Sequence, residues 1–174
     1  MHDRGAFWSP VADWSSVALS TATVSARPVN AAAAWQLSGE WGGVLTRLAV
    51  GAVRGPRDRC ADARYALRLS PDSVLLVGPD ALDLSPGWND AGYAATDLRD
   101  ALVIVDVEGP GAADLMASGS EYPFADGSVR PHESARLQFA GHAIALSRRP
   151  AGWRLHVPRQ WATALWRWLE AHVE

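Results

Sequence analysis

Lysine is absent from this chain, so all sixteen of its basic residues are arginine. That excludes Schiff-base chemistry and pyridoxal-phosphate attachment carried by the chain itself, and it leaves no ammonium to reach a nucleotide phosphate. Cysteine is nearly absent too: Cys60 stands alone, which excludes an internal disulfide and a multi-thiolate zinc site. Its neighbours Asp58 and Asp62 disfavour a thiolate, so Cys60 reads as an inert thiol. No apolar run approaches the length that spans a bilayer, and the opening MHDRGAFWSP lacks the apolar core of a signal peptide. A soluble, cytoplasmic protein is the expectation. A formal net charge of −3 argues against a nucleic-acid footprint or a polybasic membrane patch.

What the chain does have is enough apolar content, 48% of 174 residues, for a substantial core, and nine tryptophans. So many large rings in so short a chain indicate a Trp-rich core or a partner surface, where Trp and Arg are the enriched anchors.

The best-patterned stretch is 102–119, LVIVDVEGPGAADLMASG. Val103, Val105 and Val107 alternate with Ile104, Asp106 and Glu108, which is the period of a strand, with the two acids on a wet face. Gly109-Pro110-Gly111 stops it, with Pro110 suited to a first helical position, and Ala112 to Ala117 continues as a short helix closed by a left-handed Gly119. The GPG turn lacks the GxGxxG and GxxxxGK[ST] spacings of phosphate loops, so it reads as structural.

Residues 1–33 read as an arm holding at most one strand, at 17–24, with SARPVNAAAA as irregular chain. Residues 34–174 read as one domain of two intertwined halves, about 34–98 and 99–174. WQLSG is extended, and Trp41, Val44, Leu45 and Leu48 fall at helical spacing after it. Residues 52–62 form a polar loop, 64–77 a hairpin turning at Ser70-Pro71-Asp72-Ser73, and 78–90 a second loop. After an irregular stretch from 120 to 133, Leu137 and Phe139, then Ile144 and Leu146, then Trp153, Leu155 and Val157 mark three further strands. The final helix, about 159–172, presents Trp161, Leu165, Trp168 and Leu169 on one arc, with Trp166 to its side.

An offset of 70 positions relates Gly39 to Gly109, Leu45 to Leu115, Leu67 to Leu137, Leu69 to Phe139, Val74 to Ile144 and Leu76 to Leu146. The chain therefore reads as internally duplicated, an α+β protein with repeated antiparallel or mixed sheets and helices packed on them. The first half shows no counterpart of the final helix.

The blocks LRLSPDSVLLVGP, TDLRDAL, VEGPGAADLMASG and above all WRLHVPRQWATALWRWLEA resemble the γ subunit family of heterotetrameric sarcosine oxidase, over about residues 67–174. The resemblance implies a fold like the folate-binding (aminomethyltransferase-like) domain of the glycine cleavage T protein, made of two swapped halves. It implies a non-catalytic subunit whose partners are the α and β subunits of such a complex, with no cofactor bound by this chain. FAD, FMN, NAD and tetrahydrofolate would lie on the larger subunits, and the complex would oxidatively demethylate N-methyl amino acids. The alternative is a free-standing folate-binding protein, aminomethyltransferase-like or acting in iron–sulfur maintenance.

The residues themselves offer no catalytic set. Histidines 2, 132, 142, 156 and 172 lack the close spacing of metal ligands. Asp97 and Asp100 suit turns, Ser70 and Ser73 lack a nucleophile-elbow setting, and Arg148-Arg149 reads as a surface charge pair. Catalytic, cofactor and metal residues are therefore expected to be none, and Trp166, Trp8 and Trp14 are expected to face a partner.

Overall fold

The computed structural model describes residues 13–124 and 132–173. In chain order these form β1 (Leu19–Ser20), β2 (Ser25–Pro28), β3 (Ala33–Gly39), α1 (Gly42–Arg47), β4 (Val53–Arg54), β5 (Tyr65–Ser70) and β6 (Ser73–Gly78). The second half follows with β7 (Gly87–Asn89), β8 (Tyr93–Asp97), β9 (Leu102–Glu108), α2 (Ala112–Ser118), β10 (Arg136–Phe139), β11 (His142–Arg149), β12 (Gly152–Pro158) and α3 (Arg159–His172).

The strands make two six-stranded sheets. Sheet I has the order β1-β2-β9-β12-β11-β10 and is antiparallel throughout; sheet II has the order β4-β5-β6-β3-β8-β7 and is mixed, since β4 runs parallel to β5. Period-2 alternation sends the two sets of side chains of each strand to opposite layers. Val103, Val105 and Val107 pack outward with Trp153, Leu155 and Val157 against Leu115, Leu165 and Leu169 of α2 and α3. Trp35, Leu37, Val74 and Leu76 pack outward against Val44 and Leu45 of α1. Between the sheets lie Tyr65, Leu67, Leu75 and Val77 facing Ile104 and Ala145. The architecture is α+β, with the sheets face to face and helices outside. Each fully buried leucine in these layers contributes roughly 2 kcal/mol.

Taken from its other end, sheet II matches sheet I strand by strand except that edge strand β4 runs parallel to β5 where β10 runs antiparallel to β11, and the match exposes an exchange. The hairpin β1-β2 precedes β3 in the chain but pairs with β9, and the hairpin β7-β8 precedes β9 but pairs with β3. Each half thus completes the other's sheet. Gly39 and Gly109 mark equivalent crossings: their φ angles are +99° and +115°, and a Cβ would lie 2.5 Å from Gly92 O and 2.4 Å from Thr23 O, at the turns of the exchanged hairpins. Glycine is required at both by conformation and by space.

Several expectations are corrected. The arm contains two short strands, and SARP is β2: its Pro28 ends the strand, where a missing N–H costs nothing. The offset of 70 holds for β3 against β9, but Ser73 is equivalent to Gly152, so β6 matches β12 and the paired leucines of the meanders are not equivalent. The connection from α2 to its meander is longer than that from α1. The loop at 52–62 is drawn inward, with Gly55, Pro56 and Arg57 buried and β4 inside it. The loop at 78–90 contains β7. Pro110 precedes the cap rather than opening the helix, and Gly119 has φ −95°; it is glycine because a Cβ would strike the Phe139 ring at 2.6 Å. On α3 the buried arc is Ala162, Leu165, Trp166 and Leu169, rotated away from Trp161, which is 42% exposed.

Candidate functional site

The polar side chains that the fold buries most deeply converge between the sheets. Arg154 and Asp106 face each other across β12 and β9, and the guanidinium donates twice to the carboxylate, at 2.6 and 2.8 Å. Burial is the largest single influence and opposes the charge of Arg154, but the hydrogen bond to Asp106, the interactions with Tyr65 and the charge of Asp106 together outweigh it and raise the pKa. Asp106, expected on a wet face, is 5% exposed, whereas Glu108 at the strand's end is half-buried and 4.0 Å from Arg27. The alternation was right; the layer it pointed into is closed by the second sheet.

Next to this pair, His156 Nδ1 donates to Ala145 O at 3.2 Å, because a carbonyl can only accept. Nε2 of the neutral ring then accepts the Tyr65 hydroxyl at 2.7 Å. Burial holds His156 down to about 3 and pushes Tyr65 up to about 12. Cys60, fully buried in the same layer, has its thiol pushed up by burial. At neutral pH this is a set of mutually satisfied groups, with Ser147 Oγ, equally buried, lacking a hydrogen-bond partner among the described residues.

A second polar knot sits at the chain's most irregular part. Arg57 Nε donates to Tyr122 Oη at 2.6 Å, and Tyr122 Oη donates to Glu133 Oε1 at 3.2 Å, joining the 52–62 loop to both sides of the segment after α2. In the GPG turn, Gly111 N donates to Thr23 O at 3.0 Å, so an amide that a phosphate would need holds the exchanged hairpin instead.

Of the tryptophans expected at a partner surface, Trp8 lies outside the described residues. Trp166 is 4% exposed: its Nε1 donates to Glu170 Oε1 at 2.9 Å, and Trp14 of the arm meets it edge to face at 5.9 Å. The arm therefore covers Trp166, and the two rings expected to face a partner face each other. Among the described residues the exposed tryptophans are others. Trp161 stacks on His142 at 4.8 Å, and Trp88, on the outermost strand of sheet II, is 73% exposed. Trp88 escaped the sequence reading because it sits in a stretch punctuated by Pro86, Gly87 and Asn89; its signal was a lone large ring in polar chain.

The remaining candidates scatter. Asp97 receives its hydrogen bonds from Arg99, which lower its pKa, and Asp100 accepts from Arg159 Nε through its backbone carbonyl at 2.6 Å. Ser70 and Ser73 close the β5-β6 turn, Arg148 lies over the Trp153 ring, and Arg149 donates to Asp62 O. His2 lies outside the described residues, His132 is exposed, and His172 stacks on Trp168 at 4.2 Å. Among the described residues no group of three or more His, Cys, Asp or Glu could hold a metal ion, and no helix is long and apolar enough to cross a membrane. A cleft of about 150 Å³ opens between the sheets beside His156, walled by Gln36, Leu69, Leu75, Ile144, Pro158 and Arg136.

No family model matches the sequence, and no curated protein matches it. In three dimensions the chain is similar to a chain of the heterotetrameric sarcosine oxidase from Corynebacterium sp. U-96, solved in complex with pyrrole 2-carboxylate. The TM-score is 0.66 at 20% sequence identity, covering 86% of this chain and 83% of that one. What the likeness establishes is a shared fold, the duplicated α+β arrangement of two facing sheets, carried through most of both chains.

Proposed function

We propose that this chain is the γ-type, non-catalytic subunit of a heterotetrameric sarcosine-oxidase-like complex, joining larger α and β subunits that carry FAD, FMN, NAD and tetrahydrofolate. The complex oxidatively demethylates sarcosine or related N-methyl amino acids in the cytoplasm, and this chain contributes contact rather than reactivity. The observation that carries the reading is the extent of the structural likeness: it spans 86% of one chain and 83% of the other, so it runs through most of both. Two features of the chain agree with it. The groups most perturbed by burial, His156, Tyr65 and Cys60, are shut between the sheets, while Trp88 and Trp161 stand on the surface. The terminal block that resembles the γ family forms β12 and α3, with its VPR at the strand-to-helix junction.

Co-expression with α and β subunits of such an oxidase tests the reading. The expected result is stoichiometric co-purification. An α–β assembly that forms without this chain, leaving it alone at its own 18.7 kDa, overturns it. Titration calorimetry of the isolated chain with tetrahydrofolate separates the alternative, since micromolar binding there would assign a free-standing folate-binding protein.

A further inference from the structure

The two sheets overlap only in part. Where they meet, sheet II contributes Leu67, Leu75 and Val77 to the shared core. Further along the same inner face the positions come into the open. Gln36 and Ser38 are half-buried on β3, Ala94 is half-buried and Thr96 exposed on β8, and Trp88 lies in register opposite Ala94 on β7. Register places these side chains on one face. With strands about 4.8 Å apart, Trp88 stands roughly 10 Å outward from the line of β3.

The inner border of this overhang is the inter-sheet cleft, since Gln36 belongs to both. A cleft of about 150 Å³ has room for one benzene-sized group, in the range of cavities known to take benzene. Its walls are mainly aliphatic, and its charged member is Arg136, an exposed residue of edge strand β10 whose guanidinium makes no ion pair among the described residues. Arg27, Arg47, Arg54, Arg64, Arg99 and Arg154 all lie within 4.0 Å of a carboxylate, and no acidic side chain lines the cleft.

The duplication supplies an internal comparison. Sheet I has the equivalent overhang, where Ser20 occupies the position of Trp88, and Arg27 is matched by Glu108. That overhang carries no large ring, and its arginine and glutamate lie against each other. The same architecture thus bears a large exposed ring on the overhang of sheet II, where sheet I has a serine, and the cation beside it, Arg136, is lent by edge strand β10 of sheet I.

We infer that the open inner face of sheet II and the cleft at its border dock a partner subunit, which inserts one apolar side chain into the cleft, lies against Trp88 and brings a carboxylate to Arg136. This rests on the subunit reading above. An Arg in the wall of a pocket that takes an apolar side chain, with a Trp on the adjoining open face, is the composition of an interface hot spot, and desolvation by the partner strengthens the ion pair at Arg136.

The test measures affinity for an α–β assembly that the wild-type chain joins. Trp88→Ala, Arg136→Glu and the cleft-filling Ala143→Trp each weaken binding by about tenfold or more, while Trp161→Ala, at the other exposed ring, changes it less than about twofold. All four positions are exposed, so thermal melts check that the variants remain folded. Hydrogen exchange in the complex is slowed over residues 87–97. If the wild type joins the assembly and the three variants join equally well, or protection falls elsewhere, the docking surface is wrong and the subunit reading stands. If the wild type joins no such assembly, both fall.

Discussion

Acidification acts on this fold through His156 in a way the structure makes quantitative, because the ring is 1% exposed and has its two nitrogens engaged. Nδ1–H is spent on Ala145 O and Nε2 on the Tyr65 hydroxyl, so a second ring proton would force the Tyr65 hydroxyl to turn from donor to acceptor and bring a positive charge beside Arg154 and Arg149. Asp106 offsets this in part, but burial dominates and holds the pKa at about 3 against the usual value of about 6.5. The unfolded chain therefore takes up this proton below about pH 6.5 while the folded one refuses it until about pH 3. Stability is unaffected by this group above the window and falls as pH falls through it. Each pH unit within it costs about 1.4 kcal/mol, so going down to pH 4.5 removes about 3 kcal/mol. A domain typically holds 5–15 kcal/mol in all. Urea unfolding at pH 7 and pH 4.5 measures the loss. The control is the double variant His156→Leu with Tyr65→Phe, which removes both partners and strands neither. The wild type should lose about 3 kcal/mol more than the double variant across that interval. Equal losses, or a His156 ring resonance that titrates near pH 6 in the folded protein, would refute the reasoning.

Two further outcomes follow from packing. Gly109→Ala forces φ +115° on a side chain and places its Cβ 2.4 Å from Thr23 O, so it should lower stability by about 3 kcal/mol, whereas Gly141→Ala, with φ +80° and open space around it, should cost about 1 kcal/mol in the same melts. Arg154→Met leaves the Asp106 carboxylate buried without its donor and should cost about 3–5 kcal/mol by chemical denaturation, most of which adding Asp106→Leu should restore.

The elements legible in the sequence were those whose pattern is local. β3, β5, β9 and the three strands β10 to β12 carry their alternation, and β6 its short apolar run, within a few residues, and the shared Gly39 and Gly109 announced the duplication. What was not legible depends on partners far along the chain. SARP becomes a strand because β9 lies open to it some eighty residues later, which no local propensity records. Asp106 is inside because Arg154, on the next strand of the sheet, brings a matching charge and sheet II closes over both. Trp166 rather than Trp161 turns inward because Trp14 packs on it, and helical periodicity alone cannot choose between adjacent arcs that both carry large rings. The candidate surface was half legible: tryptophan surplus pointed to contact, but which rings stay outside was decided by the arm and by the staggered overlap of the sheets.

The crossing of the hairpins limits how such a molecule can be taken apart. A half-length chain would present a central strand, β3 or β9, with one neighbour missing, and could close its sheet only by borrowing a hairpin from a second copy. Joining two such copies end to end removes the need for identical sequences while keeping the mutual loan. One inner face is then free to take an arginine, an aspartate and a histidine, and the other to carry no charge on β3, β5, β6 and β8 and hold a tryptophan at its edge. The lasting effect of the exchange is a pair of once-equivalent faces released to diverge.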